Sequence, residues 1–385
     1  MAEACQLVEI SGPPRERGRQ YGEQAAVRIR RGVHHYMEQL KRFSFEFTDV
    51  RAAVVEFLPI IESFDATFVE EMRGIAEGAN IEFEAVVLLN ARTEILQIAT
   101  RRARGEETMK DDDPDGCTGV VVQPWAAREG RLIHAQNWDW NAECAETSVV
   151  LKVKRDDGPD VLTFTEAGAL GRHGFNSVGI AITANYLECE RDYRDLGVPL
   201  ALIRRKALEQ EHLALAMRAV YVTRKSAANN MIISHAQGVV IDFECAPDET
   251  FQVHPVDGLL AHANHWQSPV ALSKLRDTGV ASTPDSLYRD LRVRELLVPH
   301  IGQIDRESVK GALFDDFGTP WSVCRPPRTG RSSNLSATVA MIVMEPALGV
   351  MEVAMLPAIN REFTTYTLES SFKVTSSQVP ARRTA

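Results

Sequence analysis

Residues 111–140 read DDDPDGCTGVVVQPWAAREGRLIHAQNWDW, and the way this stretch divides decides the fold. Its first residues end a polar run that begins at Arg101, RRARGEETMKDDDPD, and Asp-Pro-Asp-Gly is a turn signal. From Cys117 the character changes. Cys117–Gln123 and Arg131–Trp140 flank the turn-like AAREG and predict a hairpin. Residues 101–115 are therefore expected to form an exposed loop between a helical N-terminal segment and a strand-rich remainder.

Upstream, Pro14 to Phe43 is charged and unbroken, and beyond it Phe57, Ile60, Ile61, Phe64, Phe68, Met72 and Ile75 recur every three or four residues. That is the period of one buried helix face. Another helix is expected over Glu84–Ile98, so the first hundred residues read as helical. Downstream, strands are expected over Ser148–Lys154, Val161–Glu166, Val178–Ala184, Met231–Ser234 and Val239–Glu244. The closing pair ATVAMIVME and GVMEVAMLP surrounds the turn at 346–349. Helices are expected over 199–223, which opens with a proline suited to a first turn, and over 284–300 and 305–316. The last residues, TSSQVPARRTA, read as a frayed tail. Strand runs separated from helical runs predict α+β layers, not a doubly wound parallel sheet.

The 385 residues carry 53 acidic and 43 basic side chains, a net charge of −10, which argues against a nucleic-acid partner. No run of about 18 uncharged apolar residues offers a membrane span. The N-terminus lacks a basic region followed by an apolar core, so no secretory leader is expected. Six scattered cysteines (Cys5, Cys117, Cys144, Cys189, Cys245, Cys324) form no C-x-x-C pair and read as reduced thiols of a cytoplasmic protein. Phosphate-loop, zincin, nucleophile-elbow and dinucleotide motifs are all missing from the sequence. Asp111, Asp113, Asp115 and Gly116 match the opening of a calcium loop, but Val122 stands where the bidentate glutamate is required. His262 and His265 are spaced three apart without a recognisable third ligand, so no metal is expected there.

Gly116–Cys117 is the junction with chemistry in it. Glycine admits backbone conformations that a β-carbon forbids, and the adjacent thiol can attack the preceding carbonyl in an N→S acyl shift. The shift itself releases the Cys117 amine, and hydrolysis of the thioester would leave Cys117 as a free N-terminal residue with its thiol restored. An α-amino group titrates near ~7.7–8.0 and a thiol near ~8.5, so an N-terminal cysteine carries its own general base. Taken alone, Gly-Cys is a common pair that usually marks no more than a buried cysteine opening a strand.

Eight segments, in order across more than 300 residues, resemble the acyl-coenzyme A:6-aminopenicillanic acid acyltransferase family of self-cleaving N-terminal nucleophile hydrolases. They are GPPRERGRQYGEQ (12–24), EEMRGIAEGA (70–79), VVLLNARTE (86–94), DGCTG (115–119), QNWDW (136–140), TEAGALGRHGFNSVGIAI (165–182), AHANHW (261–266) and SVCRP (322–326). The resemblance implies a four-layer αββα fold. It implies cleavage at Gly116–Cys117, with Cys117 as processing residue and mature nucleophile. Asp139 matches the Asp of the family's Gln-Asn-Trp-Asp motif and would orient the new amine. Asn264 would donate to the oxyanion, on which thioester formation and breakdown both place charge. Asn185, in ITANY, would help hold the amine. Against these roles, Asp139 could cap a turn and Asn264 could satisfy loop backbone; Arg92 and Glu94 in LNARTE could line the site, but an ion pair supporting the helix is the expected reading.

The departures are a slightly longer Cys117–Asp139 spacing and the stretch SNLSAT (333–338) where fungal members have Ser-Arg-Gly-Ala-Thr. The missing arginine leaves Arg325 or Arg331 as candidates to bind a substrate carboxylate. The expected protein is thus an autoproteolytic cysteine amidohydrolase or acyltransferase acting on a small amide or acyl thioester. Residues 1–116 and 117–385 would be held together as a heterodimer, with no metal or organic cofactor. The alternative is a catalytically silent scaffold or binding protein that keeps the fold. A relative that exposes its cysteine by losing only the initiator methionine is excluded, because Cys117 is internal.

Overall fold

A computed structural model of the chain describes residues 4–104, 116–329 and 335–370. A short strand, β1 (Gln6–Ser11), leads into helices α1 (Pro14–Lys41), α2 (Phe47–Ala79), α3 (Phe83–Asn90) and α4 (Arg92–Arg104). Six strands follow: β2 (Thr118–Val122), β3 (Ile133–Asn141), β4 (Ser148–Lys154), β5 (Val161–Glu166), β6 (His173–Asn176) and β7 (Ile180–Tyr186). Helices α5 (Leu200–Leu208) and α6 (Leu213–Tyr221) precede β8 (Asn229–His235), β9 (Val240–Cys245), β10 (Thr250–Val253) and β11 (Leu259–His262). The chain continues through α7 (Pro269–Leu272), α8 (Ser286–Leu297), α9 (Arg306–Leu313), β12 (Arg328–Thr329), β13 (Leu335–Glu345), β14 (Val350–Met355) and β15 (Thr364–Thr367).

Two sheets face each other. One has the order β1-β4-β5-β6-β7-β8-β9-β10; the other runs β11-β2-β3-β13-β14-β15, with β12 also on β13. Every pairing between these strands is antiparallel except β1 with β4. Strand alternation assigns the faces. On β3, His134, Gln136 and Trp138 point at the opposite sheet: His134 bonds Ser234 and Thr183, each at 2.8 Å, Gln136 donates to Ala184 O (2.7 Å), and Trp138 meets Phe164 edge-on at 5.7 Å. Ile133 and Ala135, on the other face, pack with Val293, Leu297, Val309 and Leu313 of α8 and α9. Helices α1–α6 cover the outer face of the first sheet through residues such as Ile29, Phe57, Ile75 and Ile203 against Leu151, Val161 and Ile182. The order is helix, sheet, sheet, helix: the αββα arrangement expected.

Some local expectations need correction. The N-terminal segment is not wholly helical, because β1 runs along the edge of the first sheet with Val8 and Ile10 buried. Helix α4 extends to Arg104, so residues 101–104 belong to a helix and not to a loop; 105–115, with the calcium-like aspartates, lie outside the described residues, as does the C-terminal tail. The expected Glu84–Ile98 helix breaks at Ala91. There the Asn90 side chain donates to Val86 O and Gly168 O, each at 2.9 Å, and accepts from Leu170 N, competing with the helical backbone to dock the 167–171 loop. The 199–223 segment is two helices, each laying apolar residues against the sheet.

Helices α1 and α2 touch backbone to backbone. A β-carbon at Gly18 would lie 2.0 Å from Glu71 O, and one at Gly74 2.0 Å from Arg15 O. Alongside, Glu71 is buried between Arg17 (2.6 Å) and Arg205 (3.2 Å), tying α1, α2 and α5 together.

Candidate active site

One end of the sandwich, between the sheets, gathers residues from across the chain. Cys117 lies one position before the Thr118–Asn137 pair, so it shares the inner face and an apolar cluster with Trp138. It is buried, with 7% of its surface exposed. Its backbone N donates to Asn264 Oδ1 at 2.8 Å, and its thiol points toward Asp139 O at 3.9 Å.

Asn264 sits just past β11, where its side-chain orientation is dictated by chemistry. Oδ1 also accepts from Arg289 Nη2 (2.8 Å), which can only donate, and Nδ2 donates to Tyr186 O (2.8 Å), which can only accept. One Nδ2 hydrogen is left over, in a group already bonded to the Cys117 nitrogen. Ser286 Oγ secures the loop by accepting from Asn264 N at 2.7 Å.

Arg289, on α8, is the residue that sequence reading missed. It is fully buried, donates to Cys117 O (2.7 Å), Thr118 Oγ1 (2.9 Å) and Asn264 Oδ1, and is held by Asp285 through Nε at 2.8 Å. The four-residue spacing of Asp285 and Arg289 was the available signal, but it reads as a surface helix pair. Asp285 also pairs with Arg325, whose Nε lies 3.1 Å from Asp139 Oδ2. Arg325 is thus at the site but engaged by two carboxylates. Arg331 lies outside the described residues.

Asp139 faces the helices, on the side of β3 opposite Trp138. Its Oδ1 accepts from Thr338 Oγ1 at 2.7 Å. The register of β13 against β3 shifts between Thr338 and Ala340. This bulge turns Thr338 onto the Asp139 face, whereas strict alternation from Ala340 would turn it inward. Burial pushes the Asp139 carboxyl up to about 6, against the pull of Arg325 and Arg289.

Asn185 stands one layer away. It accepts from Gln136 Nε2 (2.7 Å) and donates to His262 O (3.0 Å), so it braces the strand that carries Asn264. Gly116 is wedged against the arginines: a β-carbon there would lie 2.3 Å from Arg325 Nη2 and 2.9 Å from Arg289 Nη2. The scissile bond expected from sequence is therefore flanked by two guanidiniums.

On the inner face, Arg92 pairs with Glu166 (2.7 Å) and stacks on Trp140, while Glu94 accepts from Leu200 N (3.0 Å). The expected Arg92–Glu94 ion pair is therefore replaced by a longer-range one, because strand β5 brings Glu166 to the helix.

The third partner missing for His262 in sequence comes from β9. Asp242, Glu244 and His262 bring donor atoms within 4.8 Å of one another and form the set, among the described residues, that could hold a metal ion. His265 is not in it; it stacks on His262 and bonds Ser286. Burial opposes a charged His262, but Asp242 and Glu244 outweigh it and raise the ring to about 9. Its Nε2 lies 2.8 Å from Glu244 Oε1, within hydrogen-bonding distance. Glu244 also accepts from Gln267 N and Ser268 N, clamping both ends of the segment that presents Asn264.

Residues 125–355 match the family described as acyl-coenzyme A:6-aminopenicillanic acid acyl-transferase. Over 270 residues the chain is 30% identical to the 40 kDa form of acyl-coenzyme A:6-aminopenicillanic-acid-acyltransferase from Emericella nidulans, covering 69% of each chain. An uncharacterized protein of Archaeoglobus fulgidus is 25% identical over 286 residues, 66% of this chain and 47% of that one. Among solved structures, a mutant conjugated bile acid hydrolase from Clostridium perfringens aligns with a TM-score of 0.45 at 13% identity, over 68% of this chain and 99% of that one. Penicillin V acylase from Agrobacterium tumefaciens aligns at 0.42 and 14%, over 62% and 82%. No described helix is long and apolar enough to cross a membrane. By the family match over more than half its length and the identity to the Emericella enzyme, the chain belongs to the acyl-coenzyme A:6-aminopenicillanic acid acyltransferase family.

Proposed function

We propose that the chain is an autoproteolytic N-terminal cysteine amidohydrolase or acyltransferase, cut between Gly116 and Cys117 into fragments 1–116 and 117–385 that stay together. The observation that carries this reading is the 2.8 Å hydrogen bond from Cys117 N to Asn264 Oδ1, reinforced by Arg289 on the same oxygen. It holds the future α-amine beside the thiol of its own residue.

In maturation the Cys117 thiol adds to the Gly116 carbonyl. The C–N bond breaks as the nitrogen takes a proton, leaving a thioester. The nitrogen is thereby the free α-amine of Cys117, and water then hydrolyses the thioester to release the Gly116 carboxylate and the Cys117 thiol. In turnover the amine accepts the thiol proton, the sulfur attacks an amide or thioester carbonyl, and the remaining Asn264 Nδ2 hydrogen meets the oxyanion. The ammonium returns the proton to the leaving group, and water or an acceptor amine resolves the acyl-enzyme. Asp139, through Arg325 and Thr338, keeps the end of β3 in place beneath the sulfur. The Emericella relative is named for acyl transfer. Hydrolysis is the default where no amine is held in place of water.

Intact mass and N-terminal sequencing of the purified protein beside Cys117→Ala test the reading. Fragments of about 13 and 30 kDa from the 42.8 kDa chain, a new N-terminus of Cys-Thr-Gly-Val, and an uncut mutant are expected. A full-length wild-type product would remove self-activation and favour the silent scaffold.

A further inference from the structure

The inner side of the site holds more positive charge than the family chemistry described above uses. Arg172 ends the loop after β5 and lies over the Trp138 ring at 4.3 Å; Arg92 lies over Trp140 at 4.4 Å. Both converge on one Glu166 oxygen, Arg92 at 2.7 Å and Arg172 at 3.8 Å. Arg204 of α5 is buried beside them, its Nε donating to Leu200 O (3.1 Å). Among the described residues, Glu166 is the one carboxylate within ion-pair distance of this trio, touching Arg92 and Arg172, and the buried Glu94 acts on Arg204 and Arg92 from farther off, so three guanidiniums face two carboxylates. Buried charge persists where it is paired and hydrogen-bonded. Here Arg172 Nε, Arg92 Nη2 and both ring nitrogens of His173 are buried without a hydrogen-bond partner. His173 pairs with Phe164, whose side chain packs on the same inner face as Cys117 and Trp138, so its ring lies on that face too.

We propose that Arg172 and Arg204, with Arg92 behind them and His173 as a neutral donor, form a carboxylate-binding subsite beside Cys117 that selects substrates carrying an anionic group. As a binding site it stands on geometry; as a substrate determinant it rests on the function proposed above. The electrostatics agree with it: burial and the neighbouring guanidiniums push Arg204 down to about 9 and Arg172 down to about 10, and a negative charge on the Cys117 sulfur would pull both back up. Arg325, one of the two arginines the sequence offered, is unsuited to this role because Asp139 and Asp285 already hold it. The carboxylate could belong to the acyl group or to the leaving amine, and the kinetic arm below separates the two.

The test uses the full-length protein as purified. Glutarate and neutral glutaramide are titrated against wild type, Arg172→Gln and Arg204→Gln, reading tryptophan fluorescence, since Trp138 and Trp140 underlie two of the arginines, and the thermal midpoint. Saturable binding of glutarate but not glutaramide is expected, weakened at least ten-fold in each variant and partly restored in Arg172→Lys. No difference between the two probes, or glutarate binding indifferent to both substitutions, overturns the proposal. The kinetic arm compares kcat/KM for glutaryl-p-nitroanilide (acyl-side carboxylate), the butyramide of p-aminobenzoate (amine-side carboxylate) and butyryl-p-nitroanilide (neutral). Preference for one anionic probe, lost as a ratio in Arg172→Gln, supports the subsite and says which half of the substrate carries the charge. Turnover with no anionic preference overturns the subsite while leaving the amidohydrolase intact. Glutarate binding with no turnover retains the anion site and removes the enzymatic reading.

Discussion

Asp139 gives the sharpest quantitative expectation. Its carboxyl is fully buried, and burial raises it from an ordinary 3.8 to about 6 despite Arg325 and Arg289. A raised carboxyl means that the folded protein binds the proton more tightly than the unfolded chain does. Its contribution to stability is therefore present below the unfolded value and lost as pH rises through the folded one. Two pH units at 1.36 kcal/mol each amount to about 3 kcal/mol, most of it lost between pH 4 and pH 7.5. Asp139→Asn removes this titration. It also places an amide donor or a neutral oxygen against Arg325 Nε, which destabilises the protein by an amount that does not vary with pH. The diagnostic quantity is therefore a double difference, the stability of the Asp139→Asn variant minus that of its Asp139 parent at each pH. Both chains would carry Cys117→Ala, so that a single uncut polypeptide unfolds in each case. Urea unfolding at pH 4 and pH 7.5 should show the difference moving by roughly 2.5 kcal/mol in favour of the asparagine at the higher pH. A change under about 1 kcal/mol, or one of opposite sign, would refute the argument that burial outweighs the arginines at this carboxylate.

Thr338→Val removes the hydroxyl donor to Asp139 Oδ1; a hydrogen bond to a charged group is worth about 1.5–3 kcal/mol, so the Asp139 carboxyl should titrate about one to two pH units higher. Urea unfolding of the Cys117→Ala background against pH should show the fall in stability moving up by that amount. Arg289→Lys keeps the charge but loses the fork that joins Cys117 O, Thr118 and Asn264, and cleavage should slow by about ten-fold or more. Gly74→Ala drives a methyl into Arg15 O, and overpacking of this kind costs about 1–3 kcal/mol, to be seen as a lower thermal midpoint with the cleavage site unchanged.

Much of the fold is legible along the chain because period and side-chain type are local properties. Ser148–Lys154 and Val161–Glu166 are strands with the limits their composition predicts, and the hairpin after Cys117 falls where AAREG places it. Strand β1 escapes such reading. Six residues with only Val8 and Ile10 buried become a strand because β4 offers an open edge, and that edge exists only after the sheet has formed. The break at Ala91 is similar, since it follows a side chain, Asn90, that is bonded to a loop 78 residues away.

At the site the division is sharper. Cys117, Asp139 and Asn264 could be named in advance because a nucleophile beside glycine, and a family's short motifs, are patterns of residue type. Their function depends on charges that sequence distance conceals. Arg289 reaches Cys117 across 172 residues, Thr338 reaches Asp139 across 199 with the help of a bulge, and Glu166 draws Arg92 away from its neighbour Glu94. The linear chain thus determined which atoms can react and which segments alternate or spiral. Which arginine is neutralised, which carboxylate is pushed toward neutrality and which face of the nucleophile meets excess positive charge were decided only by tertiary structure, because Coulomb energy and desolvation depend on distance and burial, and neither is a property of position along a chain.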